Sequence, residues 1–206
     1  MIKHVWFDFS ETLASLIKEK NDQLRYATYS EVTHKPITPA LIAEYENLYQ
    51  KNSHSNAAIF RSLGLSANYW SDRVNLIAPH ELYKLMDDRI PKILQEIKVL
   101  IPISIFSNIK VDRILPALGI DPSWFIHILS ASMIKEPKPA LEGFYKMIEL
   151  SGLPPQEILY IGDHVEKDIR PAKQVGIQTG LLWSQSSEAD YCFKTFPDIF
   201  SFLQKQ

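Results

Sequence analysis

Apolar runs alternate with amphipathic stretches through the second half of the chain. Four runs that are rich in β-branched and aromatic residues end at polar residues and are predicted strands, with a fifth at 125–132; the four are 2–9, 99–106, 157–162 and 176–183. Stretches with helical spacing lie between them, at 91–98, 141–150 and 168–175. Strands that alternate with helices predict an α/β fold in which helices cover both faces of a parallel sheet.

Residues 14–89 have a different pattern, because their apolar positions recur at helical spacing without a convincing strand. The clearest helix is 39–50, which Thr38 and Pro39 are expected to start, and a second is 55–63, which Gly64 ends. This division predicts a catalytic core of residues 1–13 and 90–206 and a helical cap of residues 14–89. We expect the cap to lie over the carboxyl edge of the sheet, where ligands of open α/β sheets bind.

Composition narrows the classes of partner and location. The chain has 206 residues, enough for one domain or a core with a smaller insert, and its 46% hydrophobic content excludes disorder as the main state. A net charge of −2 provides no attraction for nucleic acid or anionic lipid. The single cysteine, Cys192, cannot form an internal disulfide, and no apolar run reaches the length of a membrane span. We therefore expect a cytoplasmic protein without nucleic-acid or membrane partners.

Four polar clusters lie at strand ends or helix starts, at 8–12, 107–108, 138–139 and 162–168. Each alone is typical of an ordinary turn or helix cap. Together they supply a carboxylate nucleophile in Asp8 and two further carboxylates, Asp163 and Asp168, of the kind that Mg²⁺ prefers. Ser107 and Asn108 offer hydrogen-bond donors to a phosphoryl group. Lys138 offers it a positive charge.

These clusters resemble the motifs of the haloacid dehalogenase-like (HAD) hydrolase superfamily, most of whose members are Mg²⁺-dependent phosphatases. WFDFSETL is similar to the D-x-D-x-T signature, IFSN to the Ser/Thr motif, KPALEGF to the Lys motif and YIGDHVEKD to the acidic G-D-x-x-x-x-D motif. The helical insert resembles the type 1 cap. The resemblance covers essentially the whole chain and implies a Rossmann-like core.

The resemblance also implies a role for each site residue. Asp8 would be the nucleophile and form an aspartyl-phosphate on a small phosphorylated metabolite. Mg²⁺ would be held by Asp8, Asp163 and the backbone carbonyl of Ser10, with support from Asp168. The phosphoryl oxygens would be bound by residues of the second and third motifs, which are Ser107, Asn108 and Lys138.

Two positions in the first motif depart from the family pattern. Ser10 stands at the catalytic position where the phosphatases have an acid/base aspartate, and loss of such a group typically slows a reaction by about 10²–10⁴-fold. Glu11 stands where the family usually has glycine, and on an extended segment its carboxylate would face away from the position of Ser10. In the third motif, Lys135 is a rival for the role of Lys138, which we prefer because Pro139 follows it.

Ser10 leaves several functions open. A phosphatase would be slow or restricted to good leaving groups, such as acyl or aryl phosphates. The alternatives are a haloacid dehalogenase, a phosphonatase with a cap lysine (Lys18, Lys20 or Lys51), and a catalytically weak binding or regulatory protein. The pair Asp163 and Asp168 favours the phosphatase, because dehalogenation needs no divalent cation.

His54 is expected either in a loop of the cap that faces the substrate or in a solvated turn.

Overall fold

The chain divides into two compact units in a computed structural model that describes residues 1–52, 55–66, 69–130 and 133–206. One unit is Met1–Ser15 together with Lys84–Gln206, and the other is Leu16–Tyr83. His54 and the last two residues of the predicted strand 125–132 lie outside the described residues.

The regular elements follow one another in an order that alternates strands and helices after residue 89. The strands are β1 His4–Phe7, β2 Ala14–Leu16, β3 Tyr83–Leu85, β4 Ile103–Ser107, β5 Ile128–Ser130, β6 Ile158–Gly162, β7 Gln178–Leu182 and β8 Tyr191–Phe193. The α-helices are α1 Lys18–Thr33, α2 Pro39–Lys51, α3 Asn56–Ser62, α4 Tyr69–Asn75, α5 Pro79–Leu82, α6 Ile90–Leu100, α7 Ile114–Ala117, α8 Glu142–Ser151, α9 Arg170–Gln174 and α10 Phe196–Leu203. The described residues also include two short 3₁₀ helices, Pro122–Trp124 and Pro155–Glu157, and a π-helical turn, Val165–Ile169.

A six-stranded parallel sheet forms the larger unit and confirms the predicted α/β class. Its strand order is β5-β4-β1-β6-β7-β8, with β1 in register between β4 and β6. Every residue of β1, β4 and β6 is buried, which explains why these strands appear in the sequence as unbroken apolar runs. In this strand order β4, β1 and β6, the three strands that carry candidate site residues, are neighbours.

Both faces of the sheet are covered by helices. Trp6 and Tyr160 lie in one buried cluster with Phe144 and Met147 of α8. Phe7, which follows Trp6 in β1, points to the opposite face and packs against Phe196 of α10. Consecutive residues of one central strand thus pack against helices of the two outer layers.

The predicted strand 99–106 is wrong at its beginning. Val99 and Leu100 end α6, and β4 begins only at Ile103. Ile101, in extended backbone at φ −155°, precedes Pro102, and a residue before proline is disfavoured in the helical region. Val99 is 80% exposed, so this apolar run combines a helix end with a strand start.

Other parts of the chain also differ from the sequence expectation. The strands β2 and β3 form a two-stranded sheet within the stretch 14–89, where no strand is predicted; at three residues each they are too short for a visible alternation. The helix predicted at 168–175 is a π-helical turn followed by α9. The strand β8 and the helix α10 were not predicted.

The helical unit has its own aromatic core. Tyr29, Tyr45 and Phe60 are buried in one cluster formed by α1, α2 and α3. The helix α2 begins as predicted, because the Thr38 side chain accepts a hydrogen bond from Leu41 N at 3.2 Å. None of the helices in the described parts of the chain has the length and apolar character that a bilayer crossing requires.

Candidate active site

The candidate site is built at the carboxyl ends of three adjacent strands. Asp8 follows β1, Ser107 ends β4 and Asp163 follows β6. Parallel strands deliver such residues to one edge of the sheet. Asp8 is only 5% exposed, so its carboxylate is held in a largely dry environment.

The ammonium group of Lys138 contacts Asp8 directly. Its Nζ donates to Asp8 Oδ1 at 2.6 Å, to Asp168 Oδ1 at 2.7 Å and to the Tyr160 hydroxyl at 2.6 Å. The alternative Lys135 is exposed, and its backbone N–H binds Glu142. Although burial acts against the charged form, the two carboxylates raise the pKa of Lys138, so the group is a fixed positive charge.

A second pair of carboxylate oxygens meets at the Thr12 hydroxyl. Thr12 Oγ1 lies 3.3 Å from Asp8 Oδ2 and 3.2 Å from Asp163 Oδ1. One hydroxyl proton serves only one of these acceptors at a time. The two oxygens therefore share a donor that cannot satisfy both.

Negative charge exceeds positive charge at this cluster. Asp8, Asp163 and Asp168 each offer an oxygen within 4.8 Å of the others, and Lys138 offsets one of the three carboxylates. Burial, followed by the charge of Asp168, raises the pKa of Asp163 to about 6, and burial also raises the pKa of Asp8 against the influence of Lys138. With all three carboxylates ionised, the cluster has a surplus of two negative charges, and such charges on hard oxygen ligands fit a divalent cation such as Mg²⁺.

Close packing fixes the position of Asp168. A Cβ atom at Gly162 would lie 2.6 Å from both Cβ and Cγ of Asp168, so only glycine fits beneath this carboxylate. Asp168 Oδ2 accepts a hydrogen bond from His164 N at 3.1 Å across the π-helical turn. The G-D-x-x-x-x-D spacing thus returns the second aspartate to the strand end that carries the first.

Asn108 and Ser107 are bound to neighbouring backbone groups. Asn108 Oδ1 accepts from Lys138 N at 2.8 Å, and Asn108 Nδ2 donates to Lys138 O at 3.1 Å. Ser107 Oγ, fully buried, accepts from Ile109 N at 3.2 Å. The Asn108 side chain therefore fastens the backbone of Lys138, and the phosphate contacts of Ser107 and Asn108 stay predictions.

The backbone at Glu11, in the first motif, differs from the sequence expectation. Glu11 has a φ of 59°, in the left-handed region, whereas the expectation placed it on extended backbone. Left-handed backbone favours glycine, which explains why glycine suits this position. Ser10 is exposed and forms a bridge to Ala14, and its predicted catalytic and metal-binding roles stay predictions.

Three site residues were not singled out from the sequence. Thr12 lies inside the first motif, and Tyr160 is the only side-chain hydroxyl in the apolar strand β6, which was its one signal. Trp183 Nε1 donates a hydrogen bond to Thr12 O at 3.3 Å, although the two residues are 171 positions apart in the sequence. No local sequence pattern indicates that contact.

A family model described as haloacid dehalogenase-like hydrolase matches residues 2–176. A glyceraldehyde 3-phosphate phosphatase from Methanocaldococcus jannaschii is 40% identical over 62 residues, which is 30% of this chain and 27% of that protein. The chain thus matches about a quarter of this relative's length.

Solved structures share the fold at low sequence identity. A HAD phosphatase from Thermococcus onnurineus superposes with a TM-score of 0.77 at 20% identity, over 98% of each chain. The HAD-hydrolase YfnB from Bacillus subtilis, bound to magnesium, has a TM-score of 0.68 at 17% identity, over 98% of each chain. A 2-haloacid dehalogenase from Pseudomonas syringae has a TM-score of 0.68 at 16% identity, over 100% of this chain and 99% of that one.

Proposed function

The chain belongs to the haloacid dehalogenase-like hydrolase family, and we propose that it is a Mg²⁺-dependent phosphatase of a small phosphorylated metabolite. The observation that carries the proposal is the charge at the site, where three carboxylates face one ammonium group. A surplus of two negative charges calls for a divalent cation, and phosphoryl transfer is the reaction of this family that uses one. The similarity to a glyceraldehyde 3-phosphate phosphatase supports a small phosphorylated substrate.

Asp8 and Asp163 are the proposed carboxylate ligands of Mg²⁺, with the backbone carbonyl of Ser10 completing the protein's share. Asp168 is proposed to support the site without being a direct ligand, because its oxygens already accept hydrogen bonds from Lys138, Tyr160 and the His164 N–H. When bound, the cation supplies charge stabilisation to phosphoryl oxygens. The helical unit Leu16–Tyr83 is proposed as the cap that the sequence predicts.

Asp8 is the proposed nucleophile. One of its carboxylate oxygens forms a bond to phosphorus while the bond from phosphorus to the leaving oxygen breaks, which gives an aspartyl-phosphate. Lys138 and Ser107 stabilise the phosphoryl charge during this exchange. Water then hydrolyses the aspartyl-phosphate and restores the Asp8 carboxylate.

Ser10 limits the range of substrates in this proposal. A serine hydroxyl does not protonate a leaving oxygen at neutral pH, so a leaving group of high pKa departs slowly. Acyl and aryl phosphates, whose leaving groups need less protonation, are therefore the favoured class.

The test measures phosphate release from p-nitrophenyl phosphate and acetyl phosphate, with Mg²⁺ or with a chelator. The variants are Asp8→Asn, which is nearly isosteric but a poor nucleophile, and Asp72→Asn, an exposed control in the helix α4. We expect release that needs both Mg²⁺ and Asp8 and that survives Asp72→Asn. Release that is equal in Asp8→Asn and wild type refutes the proposal, as does halide release from a 2-haloacid in the presence of chelator.

A further inference from the structure

We infer that Tyr160 is a positioning residue for Lys138, whose ammonium group its hydroxyl holds against Asp8. The inference rests on the proposed function, since it assigns Tyr160 a part in the same phosphoryl transfer.

The three protons of the Lys138 ammonium have three acceptors within the protein. Two are the carboxylates of Asp8 and Asp168, and the third is the Tyr160 oxygen at 2.6 Å. The Tyr160 hydroxyl in turn lies 3.0 Å from Asp168 Oδ1 and donates its own proton there. Because the hydroxyl accepts from one group and donates to the other, it has a defined direction and completes a closed ring of hydrogen bonds.

Tyr160 connects a loop residue to the central part of the sheet. Lys138 lies outside the helices and strands, whereas Tyr160 is at the centre of β6, in register with Trp6 of β1 and Thr179 of β7. The lysine side chain has several rotatable bonds, and two carboxylates alone leave one N–H of the ammonium without a fixed partner. The third contact therefore fixes the position of the positive charge relative to Asp8.

The variant Tyr160→Phe separates the hydroxyl from the ring. The ring packs edge-on against Phe144 with centroids 5.3 Å apart, and phenylalanine preserves that packing. The matched control is Tyr191→Phe in β8, which removes a hydroxyl that donates to Gln178 Oε1 at 2.9 Å, away from Lys138. Both variants remove one tyrosine hydroxyl from the same sheet, and the hydroxyl makes two hydrogen bonds at Tyr160 and one at Tyr191.

Steady-state hydrolysis of acetyl phosphate and p-nitrophenyl phosphate with Mg²⁺ tests the inference. We expect Tyr160→Phe to lower kcat about tenfold with KM changed by less than about twofold, because the hydroxyl acts on the reacting charge and not on ground-state binding. Tyr191→Phe should keep the wild-type kcat, and thermal unfolding should show both variants folded. Wild-type kcat in Tyr160→Phe overturns the inference, as does a loss that appears wholly in KM.

A double-mutant cycle with Lys138→Met separates positioning from a general structural effect. If Tyr160 acts through Lys138, adding Tyr160→Phe to Lys138→Met lowers kcat no further. An additional tenfold loss in the double variant shows that the hydroxyl acts on its own and refutes the inference. A wild type that releases no phosphate overturns the proposed function and this inference together, whereas an active wild type with an unaffected Tyr160→Phe overturns only the inference.

Discussion

Replacement of Gly162 by alanine is expected to disable the site through Asp168. The added Cβ would lie 2.6 Å from the Asp168 Cβ, whereas carbon atoms in contact are normally about 3.5–4.0 Å apart. Asp168 must then move by about 1 Å, which is too far for its bond of 2.7 Å to Lys138 to survive. Overpacking costs about 1–3 kcal/mol and the lost charged hydrogen bond about 1.5–3 kcal/mol, so we expect about 2.5–6 kcal/mol of destabilisation.

The matched control is Gly180→Ala in β7. Its Cβ would lie 2.7 Å from the Phe193 ring and 3.2 Å from Ile161, on the face of the sheet opposite to Asp168. Denaturant unfolding should show both variants destabilised, Gly180→Ala by about 1–3 kcal/mol. Phosphate release from acetyl phosphate should fall at least about tenfold in Gly162→Ala alone. Equal activity in the two variants would show that the contact between Gly162 and Asp168 does not control the site.

Three other predictions concern the first motif and the opposite end of β1. Ser10→Asp should raise hydrolysis of simple alkyl phosphates by about 10²-fold or more; no rise in a folded variant means that proton donation at this position does not limit the rate. Glu11→Gly should raise the free energy of unfolding by about 0.5–1 kcal/mol in a denaturant titration, because glycine relieves the left-handed φ of 59°, and an unchanged value contradicts this. Burial, with the charge of His127, lowers the pKa of His4 from 6.5 to about 4, so the unfolded chain binds the proton first. Stability should therefore fall by up to about 3 kcal/mol as the pH drops through that interval, and a pH series should lose this slope in His4→Gln.

The architecture of the sheet can be predicted from the sequence because the central strands are buried on both faces. Their apolar runs, each ending at a polar cluster, identify β1 and β6 within two residues at either end. The run before Ser107 misleads because hydrophobicity is similar at the end of α6 and the start of β4, and only Pro102 marks the break. β2 and β3 were not predicted, because three residues show no periodicity.

The candidate site could be predicted from the sequence at the positions where the chemistry requires a particular residue type. Asp8, Asp163 and Asp168 meet at one edge of the sheet, as the strand ends suggest, and Lys138 reaches Asp8 while Lys135 is exposed. Contacts that depend on packing between distant segments were not predictable. The attachment of Asn108 to the backbone of Lys138 and the hydroxyl of Tyr160 are examples, because neither residue type is specific to such a role.

The strand order has a consequence for how the protein opens. The three strands that carry the site, β1, β4 and β6, each have a neighbour on both sides, while β5 and β8 form the edges. Fluctuations that detach an edge strand leave the backbone amides of β1 paired, so these amides should exchange with solvent deuterium only through global unfolding. Asp8, which follows β1, and Tyr160, which lies in β6, should then keep their positions until the whole sheet unfolds. Catalytic activity and the folded structure should therefore be lost together as denaturant is added.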